Sequence, residues 1–281
     1  MIQLETKLDK LVTVLQQMES VAVGFSGGVD SSFLAAAAQK TLGDKAVAIT
    51  ACSETLPKSE AEQAAAFARQ IGIQHKFVTI SELKSPEFVA NDAARCYYCK
   101  KLRFSALANW AKQAGYKWVL EGSNADDAAD FRPGMKAVTE IAGVRSPLLE
   151  AGLTKQEIRY LSKEWGLPTY NKPSAACLSS RIAYGLPVTA ERLGQVEAAE
   201  ELLKRFFSGQ VRVRHHGTLA RIEVQPEQFG VLTDPAAVKE ITGELKRLGF
   251  TYVTLDLAGY QMGSMNQALK NQHHGSLKTQ G

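Results

Sequence analysis

The sequence predicts an α/β fold, a doubly wound parallel sheet followed by a second, smaller α+β domain. Over the first 170 residues strand-like apolar runs alternate with helix-like runs, the pattern of strand–helix–strand units that pair in parallel. The first strand runs into Ser26-Gly27-Gly28-Val29-Asp30-Ser31-Ser32, a small-residue turn that opens a helix. Beyond residue 186 the order changes to helix, two strands, helix and strand, which sets a second domain apart.

Taken in order, Leu4, Leu8, Leu11, Leu15 and Met18 step by three and four and predict an amphipathic N-terminal helix whose stripe packs on the domain. Residues 21–25 form the first strand and 33–40 the helix behind the glycine turn. Strands follow over 46–50, 74–80 and 118–121, with helices over 59–71 and 101–115 between them. Thr154-Lys155-Gln156-Glu157 is a capping box that opens a helix ending near Gly166, and Pro168 prevents its continuation. In the second domain, helices are expected over 190–207 and 235–248, and strands over 211–214, 220–224 and 252–257. The expected organisation is a first domain over 1–170, an interdomain active-site loop over 171–186, a smaller substrate or oligomerisation domain over 187–270 and a mobile tail over 271–281. His273 and His274 read as surface residues of that tail rather than a metal site.

Composition narrows the classes. With 281 residues, 45% hydrophobic and 22% charged, the chain can bury one or two full cores. Its net charge of +4 suits small anionic ligands but falls short of the concentrated basic face of a nucleic-acid binder. Glu5 and Asp9 interrupt the N-terminus, and no run reaches the roughly 18 apolar residues of a membrane span. A cytoplasmic location is therefore expected, with neither membrane nor nucleic acid as partner. In that setting Cys52, Cys96, Cys99 and Cys177 point to reduced thiols, metal binding or chemistry rather than disulfides.

The glycine turn carries the most chemistry. Free backbone N–H groups and the positive end of a helix converge there, so the turn suits an anion. Gly27 and Gly28 remove the Cβ atoms that would hold phosphate oxygens away, and Ser26, Ser31 and Ser32 add hydroxyl donors. No lysine follows Gly28, so this is not a Walker A loop; Asp30 is suited instead to hold Mg²⁺ against a phosphate. The bland alternative is an ordinary glycine turn ahead of a helix.

Ligands of such sheets gather outside the carboxyl ends of the strands, here at Ser26, at Cys52 with Ser53, and at Gly122 with Asn124. Gly122 would let adenine or ribose approach the backbone, and Asp126 or Asp127 would help hold Mg²⁺ or a cationic ring; Asp130, Arg132, Pro133 and Gly134 continue the segment. A solvated acidic loop is the alternative there. Cys96-Tyr97-Tyr98-Cys99 is a CxxC, a spacing for a shared metal or a redox pair, in a context that fits a thioredoxin-like motif poorly. Cys177 lies among Ser174, Ser179, Ser180 and Arg181, where a thiolate meets hydroxyls and positive charge, the alternative being a buried inert thiol. Arg212 and Arg214, two apart on a strand and followed by His215 and His216, share a face and make a phosphate clamp or a pair of exposed arginines.

Residues 26–32 resemble the SGGxDSS signature of PP-loop ATP pyrophosphatases, which split ATP between its α and β phosphates and adenylylate an acid, amide or carbonyl oxygen. Together with residues 121–134, ACLSSRIAYG at 176–185, VRVR at 211–214 and YVTLDLAGYQMGSMN at 252–266, the chain is similar over nearly its whole length to the LarE family of ATP-dependent sulfur transferases. The resemblance implies ATP and Mg²⁺ as cofactors, the loop residues with Ser53, Gly122 and Asp126 as nucleotide contacts, and a small mononucleotide substrate. It implies that a carboxylate of pyridinium biscarboxylic acid mononucleotide becomes an acyl adenylate and that sulfur then displaces AMP to leave a thioacid. Ser180, Arg181, Arg212 and Arg214 would hold the substrate phosphate, with Glu200 near the substrate.

Members of the family differ in their sulfur source. Some sacrifice a cysteine that aligns with Ala176, one residue before Cys177; others hold a four-iron four-sulfur cluster on three cysteines. Cys96, Cys99 and Cys177 supply that second set, so a cluster-dependent enzyme fed by sulfide or another sulfur donor is expected, with direct donation by Cys177 as the alternative. A homo-oligomer is expected as well. Two rival readings are a tRNA thiolase of the same loop class and a nucleotide-binding module with a zinc ion on all four cysteines.

Overall fold

A computed structural model describes residues 2–128, 133–173 and 176–266. The expected Asp130, Arg132, Ser174, His273 and His274 lie outside the described residues. The chain divides into two compact units, one of residues 1–82 and 96–175, the other of 83–95 and 176–281.

The first unit runs α1 (Ile2–Met18), β1 (Val21–Gly24), α2 (Val29–Leu42), β2 (Ala46–Cys52), α3 (Lys58–Ile71) and β3 (Gln74–Thr79). After the excursion α4 (Pro86–Val89) in the second unit come α5 (Arg95–Gln113), β4 (Trp118–Leu120), α6 (Ala125–Ala128) and α7 (Pro133–Thr139). The series ends with β5 (Val144–Arg145), α8 (Pro147–Glu150) and α9 (Lys155–Glu164). Among the described residues the strands form one sheet in the order β3-β2-β1-β4-β5, every pair parallel, with Val21 opposite both Ala46 and Trp118. The parallel α/β expectation therefore holds.

The sheet is covered on both faces. The predicted stripe of α1 buries Leu11, Leu15 and Met18 against Phe33 and Leu34 of α2 and Ile158 of α9. Ala22, Val47 and Val119 turn to the other face and pack with Leu107 and Ala111 of α5. Residues buried on both faces explain why β1 and β2 read as unbroken apolar runs. The capping box at α9 is formed: Thr154 Oγ1 accepts the Glu157 N–H at 3.3 Å, and the Glu157 carboxylate accepts the Thr154 N–H at 2.8 Å. Strand β5, only two residues long, has no period for a sequence reading to find.

In the second unit α10 (Ala190–Leu203), β6 (Arg212–His216), β7 (Leu219–Glu223), α11 (Pro235–Arg247) and β8 (Tyr252–Leu255) build the expected α+β arrangement. The order is β6-β7-β8, with β6 antiparallel and β8 parallel to β7. Leu203, Val213, Ile222, Ile241 and Leu245 form its core. Among the described residues no helix is long and apolar enough to cross a membrane.

Candidate active site

In the first unit a cavity of about 260 Å³ opens at the carboxyl ends of β1, β2 and β4. Its floor is the glycine turn. Gly27 has φ +67, and a Cβ there would meet the Ala64 Cα at 3.1 Å, so both backbone and packing require glycine. The turn ties itself together: Ser26 N–H donates to Ser31 Oγ at 3.2 Å, the two hydroxyls lie 3.1 Å apart, and Ser31 Oγ donates to the Gly28 carbonyl at 3.3 Å. Ser26, Gly28, Asp30, Ser31 and Gly122 all line the cavity. A Cβ on Gly122 would fill space 3.5 Å from the Ser31 amide nitrogen, directly over the first turn of α2. Ser32, by contrast, is wholly buried on the inner side of that helix.

The opposite wall comes from α5, whose Lys100, Arg103, Phe104 and Leu107 face the cavity. The helix starts at Arg95 rather than at residue 101, because Asp92 Oδ1 accepts the Ala94 N–H at 2.8 Å and turns the chain into it. The CxxC therefore occupies its first turn. Lys100 donates to Glu121 at 2.7 Å. Burial alone would push the Glu121 carboxyl up, but the Lys100 charge and hydrogen bonds from Lys100 and Ser123 outweigh it and hold it below the usual range. Arg103 pairs in the same way with Glu82 at 2.5 Å and reaches Ser53 Oγ at 3.3 Å and Thr55 Oγ1 at 2.6 Å. The fully buried Glu82 is likewise kept ionised, since the Arg103 charge and hydrogen bond overcome desolvation.

Asp30 accepts from Asn124 Nδ2 at 3.3 Å and pairs with Lys155 at the head of α9. Asp126 accepts the Lys155 backbone N–H at 2.9 Å and so caps that helix. Lys172 donates to the Gly27 carbonyl at 3.2 Å and to Glu60 at 2.8 Å. Sequence reasoning missed Glu82, Lys100, Arg103, Lys155 and Lys172. Lys100 and Arg103 were findable, because Arg103 and Phe104 precede the inward Leu107 by four and three residues on one helix.

None of the four cysteines forms a disulfide. Cys96 is exposed; Cys99 is half-buried and donates to Glu82 Oε1 at 3.7 Å. Among the described residues no three His, Cys, Asp or Glu side chains converge on one point. In the first unit the Cys96 and Cys99 thiols lie one helical turn apart on α5, and Cys177 belongs to the second unit; thiolates are the donors an iron–sulfur cluster takes. For Mg²⁺ the part-exposed Asp30 carboxylate beside the cavity is a suitable oxygen donor, since that ion commonly takes one or two carboxylates plus substrate phosphates.

In the second unit Arg181 pairs with Glu200 at 2.9 Å, and its Nη1 also donates to the Cys177 carbonyl at 2.8 Å and to Ser180 Oγ at 3.1 Å. Arg214 pairs with the fully buried Glu223 at 2.6 Å. No carboxylate among the described residues pairs with Arg212, whose guanidinium lies 5.4 Å over the Tyr260 ring. Burial, and then the Arg181 charge, hold Arg212 below its ordinary value.

An amide-lined glycine turn followed by an acid, at the carboxyl edge of a parallel sheet, defines a PP-loop enzyme. The NAD synthase family profile matches residues 2–182. The chain is 38% identical over 273 residues to pyridinium-3,5-bisthiocarboxylic acid mononucleotide synthase of Lactiplantibacillus plantarum, covering 96% of this chain and 97% of that protein. It is 43% identical over 266 residues to an uncharacterized protein of Synechocystis sp., covering 95% and 99% of the two chains. An NH(3)-dependent NAD(+) synthetase of Finegoldia magna is 30% identical over 167 residues, which cover 56% of this chain and 66% of that one. The chain belongs to the LarE family of ATP-dependent sulfur transferases, within the PP-loop superfamily.

Proposed function

We propose that this enzyme adenylylates a carboxylate of pyridinium-3,5-biscarboxylic acid mononucleotide and converts it to a thioacid, a step of nickel-pincer nucleotide synthesis. The observation that carries the reading is the cavity over the glycine turn, lined by Asp30, in a chain that matches the bisthiocarboxylic acid mononucleotide synthase over 96% of its length. ATP lies on Ser26, Gly28 and Ser31, in the turn that Gly27 shapes and not on the buried Ser32, with Asp30 toward Mg²⁺ and Ser53, Gly122 and Asp126 toward the nucleoside. The substrate carboxylate attacks the α phosphorus, the bond to the β phosphate breaks, and pyrophosphate leaves. Mg²⁺, when bound, neutralises charge on the departing pyrophosphate. A carboxylate cannot expel oxide, whereas its adenylate expels AMP. Ser180, Arg181, Arg212 and Arg214 hold the substrate phosphate, and Glu200 orients Arg181 beside it.

Sulfur then adds to the acyl carbon and AMP departs. Cys96, Cys99 and Cys177 would hold a 4Fe-4S cluster, which supplies a nucleophilic sulfide when loaded. Anaerobic protein given ATP, Mg²⁺, the mononucleotide and sulfide should release AMP and pyrophosphate in equal amounts and form thioacid over many turnovers without changing its own mass. Loss of one H₂S from Cys177, leaving dehydroalanine, would replace the cluster by direct donation. Bound zinc without iron, or tight salt-sensitive tRNA binding, would overturn the reading.

A further inference from the structure

Cys177 opens a short 3₁₀ turn, Leu178–Arg181, and the second unit holds that turn with two residues the chemistry above does not use. Asn91 is wholly buried and left-handed, at φ +56, a conformation costly for most side chains but tolerated by asparagine. Its amide nitrogen serves three carbonyls, those of Ala183 and Leu186 at 2.8 Å and Ile182 at 3.4 Å. Its own carbonyl accepts Gly185 N–H at 3.2 Å, and its side-chain oxygen accepts from Arg95. The Arg95 guanidinium, also buried, donates to the Ser179 carbonyl at 3.0 Å and lies 5.0 Å over the Tyr184 ring. Ser179 in turn brings its hydroxyl to 3.0 Å from Cys177 Sγ.

Arg95, linked by one peptide bond to Cys96, thus grips the turn that carries the third thiol. A buried left-handed asparagine that saturates a loop's carbonyls over-determines that loop, which an ordinary surface connection does not require. We propose that Asn91 and Arg95 are positioning residues for Cys177: they lock the 178–186 segment so that its thiol is presented in one geometry to the sulfur-transfer step. The inference rests on the sulfur-transfer reading for its purpose and on the hydrogen bonds alone for its geometry.

The test is cysteine-resolved alkylation of the anaerobic, cluster-free chain with iodoacetamide, in wild type, Arg95→Gln and Asn91→Ala, with Arg95→Lys as the conservative variant. Losing a charged hydrogen bond to this buried turn should raise the rate of the half-buried Cys177 about tenfold through local opening. Cys52, equally half-buried but in the first unit, should keep its rate, and Arg95→Lys should restore most of the protection. In turnover, kcat should fall while the KM for ATP stays within about twofold. A parallel rise at Cys52, or a Cys177 rate within twofold of wild type, overturns the proposal; if Arg95→Gln does not fold, Asn91→Ala and Arg95→Lys carry the same comparison. Multiple turnover by Cys177→Ser would instead remove the sulfur role of Cys177 and leave the alkylation result standing.

Discussion

Lys155, the first residue of α9, pairs with Asp30 of the glycine turn, 125 positions earlier in the chain. The turn lacks a lysine of its own, and this contact brings one to its mouth from another element. On the proposed role of Asp30, Mg²⁺ and Lys155 would share one carboxylate, and metal binding would free the ammonium toward the nucleotide. Lys155→Met should raise the KM for ATP about tenfold, the worth of one hydrogen bond to a charged group, with the mononucleotide KM unchanged. Steady-state kinetics with each substrate varied in turn decides it, and equal changes in both constants would refute the assignment.

The Glu82–Arg103 pair behind the CxxC should show an asymmetry. Glu82 is completely buried, whereas the Arg103 side chain keeps 22% of its exposure. Removing the arginine leaves a buried carboxylate without its counter-charge and with no route to water; removing the acid leaves a guanidinium that still reaches solvent, Ser53 and Thr55. Arg103→Met should therefore cost about 3 kcal/mol in urea unfolding, against about 1 kcal/mol for Glu82→Gln. Equal costs would mean that the acid is not kept ionised by the arginine.

Much of this was legible in the sequence because it was local. The glycine turn and the α9 capping box each depend on residues within two helical turns, and the stripe of α1 on a spacing repeated every three or four residues; each formed as expected. What escaped is long-range pairing. Lys155 with Asp30, Lys172 with Gly27 and Arg95 with Ser179 join positions 84 to 145 residues apart, and nothing in a charged residue's neighbourhood announces such a partner. Arg214 shows the same limit from the other side, since its spacing from Arg212 puts the two on one face but does not announce the buried Glu223 that pairs with it.

Within the proposed substrate-phosphate site, Arg212 is the arginine with no carboxylate partner among the described residues. Arg181 and Arg214 are each balanced by a carboxylate, and an incoming phosphate gains most from the guanidinium that burial and Arg181 already disfavour. Arg212→Met should raise the mononucleotide KM by roughly a hundredfold, the loss of a charge-assisted contact, and leave the KM for ATP alone. A smaller effect than that of Arg214→Met would shift the phosphate contact to Arg214.

His215 should make the second unit acid-sensitive. Its ring is 2% exposed, stands edge-on to Phe250 and faces Gln195 Oε1 at 2.9 Å through Nε2, while Nδ1 is buried without a hydrogen-bond partner among the described residues. Burial, and then the Arg192 charge, lower its pKa from 6.5 to about 4. The fold thus holds the neutral ring, and the unfolded chain binds a proton first as pH falls. Stability from this residue is complete above about pH 6.5 and is lost progressively toward pH 4, about 3 kcal/mol in all. His216 is shifted the same way by burial and by Arg221, which adds to the slope. Urea unfolding followed by circular dichroism at pH 7 and pH 5 should show the wild type losing stability on acidification, and His215→Gln should lose markedly less, because the amide still meets Gln195 but takes up no proton. An unchanged slope in that variant would place the acid sensitivity elsewhere.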